Sequence, residues 1–369
     1  MTLTPDRRAL LGLGGALSLG LLPARGFAGP VQESGAKLGY AIVGLGGYAD
    51  VILPRFAECR HSRVTALVSG SPDKARRYAA QYGVPESGLY DYDTFDAIRD
   101  NPDVDIVYVI LPNGLHHAFT LRAAAAGKHV LCEKPMATTA AEAESMIAAC
   151  RAADRKLMIG YRCHFEANNR EAMRIARGGD LGRLGVVTAE HGFTIGDPAQ
   201  WRLNRELSGG GSLMDIGIYS LQAARYLTGE EPVTVSAVES TDRSDVRFRE
   251  VEDTINFQLT FPSGVVANCV STYGSNHNRF RVVGASGWLD AESATGYGGN
   301  RLKLHRDGRT VDHPAPEQPL NQFSAQLDHL SHCVMTGSEP IVSGEEGLRD
   351  MRIIEAIYRS AREGRTVTL

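Results

Sequence analysis

An apolar run, Leu38-Gly-Tyr-Ala-Ile-Val43, leads into Gly44-Leu-Gly46-Gly-Tyr-Ala49 and then into a stretch of helical character. No other feature restricts the fold of this chain as much. The pattern G-x-G-x-x-A is weak by itself, but between a strand and a helix it has the context that dinucleotide binding requires. Gly44 permits the tight turn, Gly46 lets a pyrophosphate approach the backbone, and Ala49 lets helix and strand pack closely. The helix start supplies N–H groups and partial positive charge for phosphate. The phosphate-facing loop is therefore expected over Gly44, Leu45, Gly46, Gly47 and Tyr48. A glycine turn without a ligand is the alternative.

The rhythm continues. Further strands are expected at Val64–Val68, Ile106–Leu111, His129–Cys132 and 156–160, with helices at 71–82, 115–126 and 139–153 between them. Ser71-Pro72 starts one helix well, and Thr138 or Thr139 with Glu142 makes a capping box for another. Alternating strands and helices give right-handed crossovers and a doubly wound parallel sheet. We assign residues 38–160 to this α/β Rossmann domain. The pattern then breaks. After a helix at 167–177, strands dominate: 184–193, 233–239, 254–261, 265–272 and 279–285. Phe261-Pro-Ser-Gly264 reads as a turn between two antiparallel strands. Residues 161–369 are thus expected to form an α+β domain with a large, mostly antiparallel open sheet, helices on one side and a last helix over 344–362.

The end of the second strand chooses between the two nicotinamide dinucleotides. An acid there would bind a ribose hydroxyl. The chain instead reads Val68-Ser69-Gly70-Ser71, then Lys74 and Arg76-Arg77. Hydroxyls and an ammonium suit a 2′-phosphate, so NADP is expected over NAD. The alternative makes Ser71 a helix cap and Lys74 a solvated charge. Leu111-Pro112-Asn113 ends the third strand, where ligands of such sheets sit, with His116 as a cofactor neighbour.

The net charge of −4 and the absence of a basic block argue against nucleic acid as a partner. Arg7-Arg8 precede a weakly apolar run, Ala9–Leu22, and Gly26-Phe27-Ala28 suits signal peptidase. Residues 1–28 therefore resemble a twin-arginine signal peptide, with an ordinary secretory signal as the alternative, and 29–37 form a short arm. The expected location is the periplasm, with no membrane association once the signal is removed. That compartment has no supply of free nicotinamide nucleotide, so the cofactor should be loaded before export and held tightly. The six cysteines show no zinc or CxxC spacing and are expected as buried free thiols, although an oxidising compartment permits disulfides.

Cys132-Glu133-Lys134-Pro135 follows the fourth strand, and proline fixes the turn that projects Lys134 at the sheet's carboxyl edge. Later comes Gly209-Gly-Gly211-Ser-Leu-Met-Asp215-Ile-Gly217-Ile-Tyr219. If helical from Ser212, Asp215 and Tyr219 lie one turn apart on one face, and the glycines let the helix approach a ligand. Spacing alone leaves a site and ordinary packing evenly matched. Glu133-Lys134-Pro135 with Asp215-x-Gly217-x-Tyr219 resembles the Gfo/Idh/MocA group, and tyrosine at 219 resembles its glucose–fructose oxidoreductase branch. Similar stretches include Ile159–His164, Trp201–Leu207, Ala294–Tyr297 and Asn321–His329, and the likeness runs from about Leu38 to the C-terminus.

The resemblance implies an NADP enzyme acting on sugars. Lys134 would orient the sugar and lower the pKa of Tyr219, the general base in oxidation and general acid in reduction. Asp215 would bond the reacting sugar, and Glu133, Lys134, Arg162, Trp201 and Arg202 would line the tightly held NADP. Lys134, Arg162, Asp215, Tyr219 and Tyr297 would face the substrate, and no metal is expected. A cyclic aldose would leave as a lactone and a second sugar, an aldose or fructose, as an alditol, in ping-pong order. An ordinary dehydrogenase with exchangeable cofactor and a non-catalytic sensor remain alternatives. The resemblance also implies a homo-oligomer, a dimer, paired through the second sheet. The long arm of the branch's fructose-reducing member has no counterpart in the few residues at 29–37.

Overall fold

The structure, a computed structural model, describes Gly35 and residues 37–369, so the expected leader and nearly all of the arm lie outside the described residues. Six parallel strands form the first sheet: β1 (Leu38–Val43), β2 (Ser62–Val68), β3 (Leu89–Tyr90), β4 (Ile106–Val109), β5 (His129–Glu133) and β6 (Leu157–Gly160), in the order β3-β2-β1-β4-β5-β6. β4 is buried along its whole length, which is why it reads as an unbroken apolar run. The helices of this half are α1 (Gly47–Ile52), α2 (Pro72–Tyr82), α3 (His116–Ala125) and α4 (Ala140–Ala152). Thr139 caps α4 by accepting from the Glu142 amide at 3.1 Å, while the Glu142 carboxylate reaches back to the Thr138 amide and hydroxyl at 2.9 and 2.7 Å. The strand order reverses between β1 and β4, and that crevice is where ligands of doubly wound sheets bind.

The second sheet has nine strands: β7 (Leu184–Gly192), β8 (Thr234–Ser240), β9 (Thr254–Thr260), β10 (Val266–Thr272), β11 (His277–Gly284), β12 (Gly287–Glu292), β13 (Arg301–Arg306), β14 (Arg309–Asp312) and β15 (Val367–Thr368). β9 and β10 pair antiparallel through the expected turn, and β10 with β7 is the one parallel pairing of this sheet. The alternation of β9 shows the design: Ile255, Phe257 and Leu259 are buried while Asn256 and Gln258 are exposed. The helices of this half are α5 (Ala167–Arg177), the short α6 (Arg205–Ser208), α7 (Ile218–Thr228), α8 (Gln322–Thr336) and α9 (Gly344–Glu363), and they cover the sheet less uniformly than expected. α7 packs on β7 and β10 and α9 on β8, but α9 also packs on α4 and β6.

α8 was absent from the expected elements and belongs largely to the first half. Asp328 on α8 accepts from the backbone amides of Arg60 and His61 and from the Ser62 hydroxyl, at 2.6, 3.0 and 2.8 Å. Tyr40 on β1 donates to the Leu327 carbonyl at 2.8 Å. A second apolar cluster, separate from the main core, gathers Ile195, Leu203, Phe248, Val251 and Tyr273. It anchors the long segment between β7 and α6. All six cysteines are buried and free.

Candidate active site

The loop after β1 has the backbone that a nucleotide needs. Gly44 has φ +103°, and a Cβ there would meet the Ile110 carbonyl oxygen at 3.0 Å, so no other residue fits. At Gly46 and Gly47 the reverse holds: both are exposed, and a Cβ would project into open space with nothing within 4 Å. That open cradle, with Leu45 and Ala49 buried beneath it, fits a pyrophosphate lying on bare backbone. At the end of β2, Ser69 is buried and its hydroxyl accepts from the Ser71 amide at 3.1 Å. The Ser71 side chain makes no capping bond to α2. Ser71 and Gly70 are exposed, and half-buried Lys74 forms no ion pair among the described residues, whereas Arg76 pairs with Asp73 at 2.9 Å.

Leu111, Pro112 and Asn113 follow β4. Buried Asn113 donates its amide to the Ser208 carbonyl at 2.8 Å, tying α6 to this loop. His116 is fully buried, with Nδ1 at 2.8 Å from the Pro135 carbonyl and Nε2 at 2.8 Å from the Leu111 carbonyl. Both ring nitrogens thus face protein oxygens. His116 ties the end of β4 to the turn that carries Lys134, and it does so from inside the fold.

Glu133 likewise turns inward. Tyr108 donates to its Oε1 at 2.5 Å, and the Lys134 amide donates to Oε2 at 3.2 Å. Burial raises the Glu133 carboxyl, partly offset by Tyr108 and by the Lys134 ammonium. This buttress sets the stem of Lys134, whose Nζ donates to the Asp215 carbonyl at 2.7 Å and stands 3.5 Å from Asp215 Oδ1. Asp215 Oδ2 accepts from Arg202 Nε at 2.8 Å and from the Tyr273 hydroxyl at 3.2 Å. Burial alone would raise the Asp215 carboxyl, but Lys134 and Arg202 together hold it below the usual carboxylate range.

The helix carrying Asp215 and Tyr219 differs from a simple α-helical start. Residues 213–217 form a π-type turn, and α7 begins at Ile218. Glu252 holds its start by accepting from the Gly211 and Leu213 amides at 2.8 and 2.9 Å. Gly217 is demanded by the sheet behind it, since a Cβ there would meet Ser271 Oγ at 2.4 Å. The glycine run of 209–211 also packs on protein, against Thr138, Tyr358 and Glu252, and not on a ligand as its composition suggests. Tyr219 and Thr228 alone in α7 keep some exposure, so Tyr219 marks where the buried helix reaches solvent.

Two cations flank the Tyr219 ring, Lys134 Nζ at 5.2 Å and the Arg162 guanidinium at 5.0 Å from its centroid. Burial raises the phenol well above its ordinary value, and Arg162 is the main opposing influence. Lys134 thus serves two neighbours, bonded to Asp215 and standing at the Tyr219 ring, and Arg162 is a second cation against the same phenol. Arg162 is itself buried, donating to Gln322 Oε1 at 2.7 Å and to the Thr295 carbonyl at 2.6 Å. It lies 4.7 Å from the ring of Tyr297, which is 56% exposed on the open side. Arg202 stacks 4.7 Å over Trp201, both half-buried. Sequence reasoning missed Tyr273, Tyr108 and Gln322. Only Gln322 left a signal, in the cap Asn321 followed by Phe323, Leu327 and Leu330 at helical spacing.

The family model for the NAD-binding Rossmann fold of an oxidoreductase family, Gfo/Idh/MocA, matches residues 38–161, and the model for its C-terminal alpha/beta domain matches 175–369. The chain belongs to the Gfo/Idh/MocA oxidoreductase family. A crystal structure of an aldose-aldose oxidoreductase from Caulobacter crescentus, in complex with glycerol, is 66% identical, with a TM-score of 0.90 over 90% of this chain and 100% of that one. A D-xylose 1-dehydrogenase [NADP(+)] of Haloarcula marismortui is 33% identical over 89% of this chain and 92% of its own. A 3-ketoreductase from Actinomadura kijaniata, solved with NADP and TDP-benzene, is 25% identical with a TM-score of 0.78, covering 88% of this chain and 98% of that one. Within this family the chain is an NAD(P)-dependent oxidoreductase of the sugar-acting kind.

Proposed function

We propose that this protein is a sugar:sugar oxidoreductase that keeps NADP bound through a two-step cycle, exported by the twin-arginine route and working in the periplasm. The observation that carries the reading is the gathering of Tyr219, Lys134 and Asp215 in one cluster, with Lys134 Nζ 5.2 Å from the Tyr219 ring centroid and 3.5 Å from Asp215 Oδ1. The likeness to an aldose-aldose oxidoreductase supports the choice of sugars on both sides of the reaction.

NADP, when bound, supplies the two-electron acceptor and then donor. Tyr219 takes the proton of the anomeric hydroxyl as that oxygen becomes the lactone carbonyl. It returns a proton to the carbonyl oxygen of the second sugar. Aldose plus sugar thus gives lactone plus alditol, with no net proton released. Asp215, held ionised, accepts a sugar hydroxyl, while Lys134 donates to a sugar oxygen. An aldose and fructose both satisfy this scheme as acceptor.

The test is the absorbance spectrum of the purified protein before and after glucose. Reduced nicotinamide should arise without added nucleotide and vanish when a second sugar follows. Protein that is empty and needs free NADP+ in stoichiometric amount would instead favour the ordinary dehydrogenase, a reading to which the Haloarcula relative lends weight. Lys74→Ala tests the 2′-phosphate. Loss of one charge-assisted contact is worth about 1.5–3 kcal/mol, so NADP affinity of nucleotide-free protein should fall roughly tenfold or more while NAD affinity holds. Equal weakening of both nucleotides in a competitive titration would remove Lys74 from that role.

A further inference from the structure

Asp215 is gripped unevenly. Its Oδ2 receives two donors, Arg202 Nε at 2.8 Å and the Tyr273 hydroxyl at 3.2 Å, while Oδ1 has only Lys134 Nζ, at 3.5 Å. The second donor comes from an unexpected place. Tyr273 lies just past β10, fully buried, in the small apolar cluster with Ile195, Leu203, Phe248 and Val251. Its backbone is fixed on both sides: the amide donates to the Asp253 carbonyl at 3.0 Å, and the carbonyl accepts from the Ile195 amide at 3.0 Å. Phe193 packs edge-on against its ring at 5.2 Å. The hydroxyl is therefore the single polar group that this cluster sends into the site.

The same cluster includes Leu203, next to Arg202, so both donors to Oδ2 are set by one packing unit. Two donors at one oxygen fix the plane of the carboxylate and leave the other oxygen on the Lys134 side. A phenol buried this deeply, beside a carboxylate, remains protonated, so it donates permanently and takes no part in proton transfer. Resting on the sugar-oxidoreductase reading above, we propose that Tyr273 is a positioning residue for the reaction: it locks Asp215 through Oδ2 so that Oδ1 is presented, beside Lys134, to a sugar hydroxyl.

Tyr273→Phe removes the hydroxyl and keeps the ring in its cluster. Bound nucleotide and melting temperature should stay near those of the parent protein. kcat/KM for the aldose should fall about tenfold, the scale of one hydrogen bond to a charged group. The groups facing the Asp215 carboxylate are Lys134, Arg202 and Tyr273. Loss of a donor raises that carboxyl, so the acid limb of the kcat/KM profile should move to higher pH. In an Asp215→Asn background, which has no carboxylate to orient, the same change should cost little further. An unmoved acid limb with unchanged kcat/KM would overturn the proposal, as would a loss of the same size in the Asp215→Asn background. A fall in melting temperature without a shift of the limb would also overturn it, leaving Tyr273 a packing residue only. Near-normal activity of Asp215→Asn alone would instead bring down the reading of the site itself.

Discussion

Tyr219→Phe is expected to leave bound nucleotide in place and to lower turnover by roughly 10²–10⁴-fold, the range for a lost acid–base group. The ring would remain between Lys134 and Arg162, so packing of α7 should hold. Burial, only partly opposed by Arg162, keeps the phenol neutral at ordinary pH. It is then a ready acid for the reducing step and a base only in its small ionised fraction. Single-turnover oxidation of an aldose should therefore quicken with rising pH, by about tenfold per unit while that fraction limits the rate. The reducing step should not quicken over the same range. Rapid-mixing absorbance at the reduced nicotinamide band separates the two steps. A phenylalanine variant that keeps both the rate and the slope would exclude Tyr219 as the proton carrier.

Arg162→Met should strike stability and chemistry together. The guanidinium satisfies Gln322 Oε1 and the Thr295 carbonyl inside the fold. Each buried acceptor left without a donor costs about 1–3 kcal/mol. A summed loss of several kcal/mol should lower the melting temperature by roughly 5–10 °C. The phenol also loses the main influence that opposes its burial, so it ionises less readily still and the oxidation profile should move to higher pH. Lys134→Met makes the contrast. Its ammonium serves Asp215, so its removal should raise that carboxyl and shift the acid limb. Calorimetry and the paired pH profiles decide; if Lys134→Met displaces the alkaline oxidation limb and Arg162→Met does not, the division of labour between the two cations is the reverse.

The first sheet was legible because its central strands are unbroken apolar runs closed by glycine or proline. β3 escaped notice because two residues, Leu89 and Tyr90, carry no period. β14 is exposed at every position, so no alternation marks it as a strand. The motif residues of the site were readable one by one, but their partners were not. Asp215 meets Tyr273 across 58 positions, and Tyr273 meets its cluster through chain segments that share no local pattern. The start of the π-type turn is likewise held by Glu252, a distant side chain that takes two amides. Local spacing cannot announce such a contact. The same limit applies to Lys134 and Arg162: motif logic pairs the lysine with the tyrosine, but it does not announce that the ammonium also binds Asp215 or that Arg162 stands at the same ring.

α8 supplies Gln322 beneath Arg162, Phe323 edge-on to Tyr48 and Tyr297, and Gln326 to the Tyr108 hydroxyl that props Glu133. It also caps the amino end of β2 through Asp328. On the ribosome, the nucleotide-binding half emerges long before these residues do. Until the helix arrives, Arg60, His61 and Ser62 lack their carboxylate and the guanidinium of Arg162 lacks its amide partner. The reactive pocket is thus a property of the finished polypeptide, and a fragment ending near Gly160 would be a sheet without a working mouth.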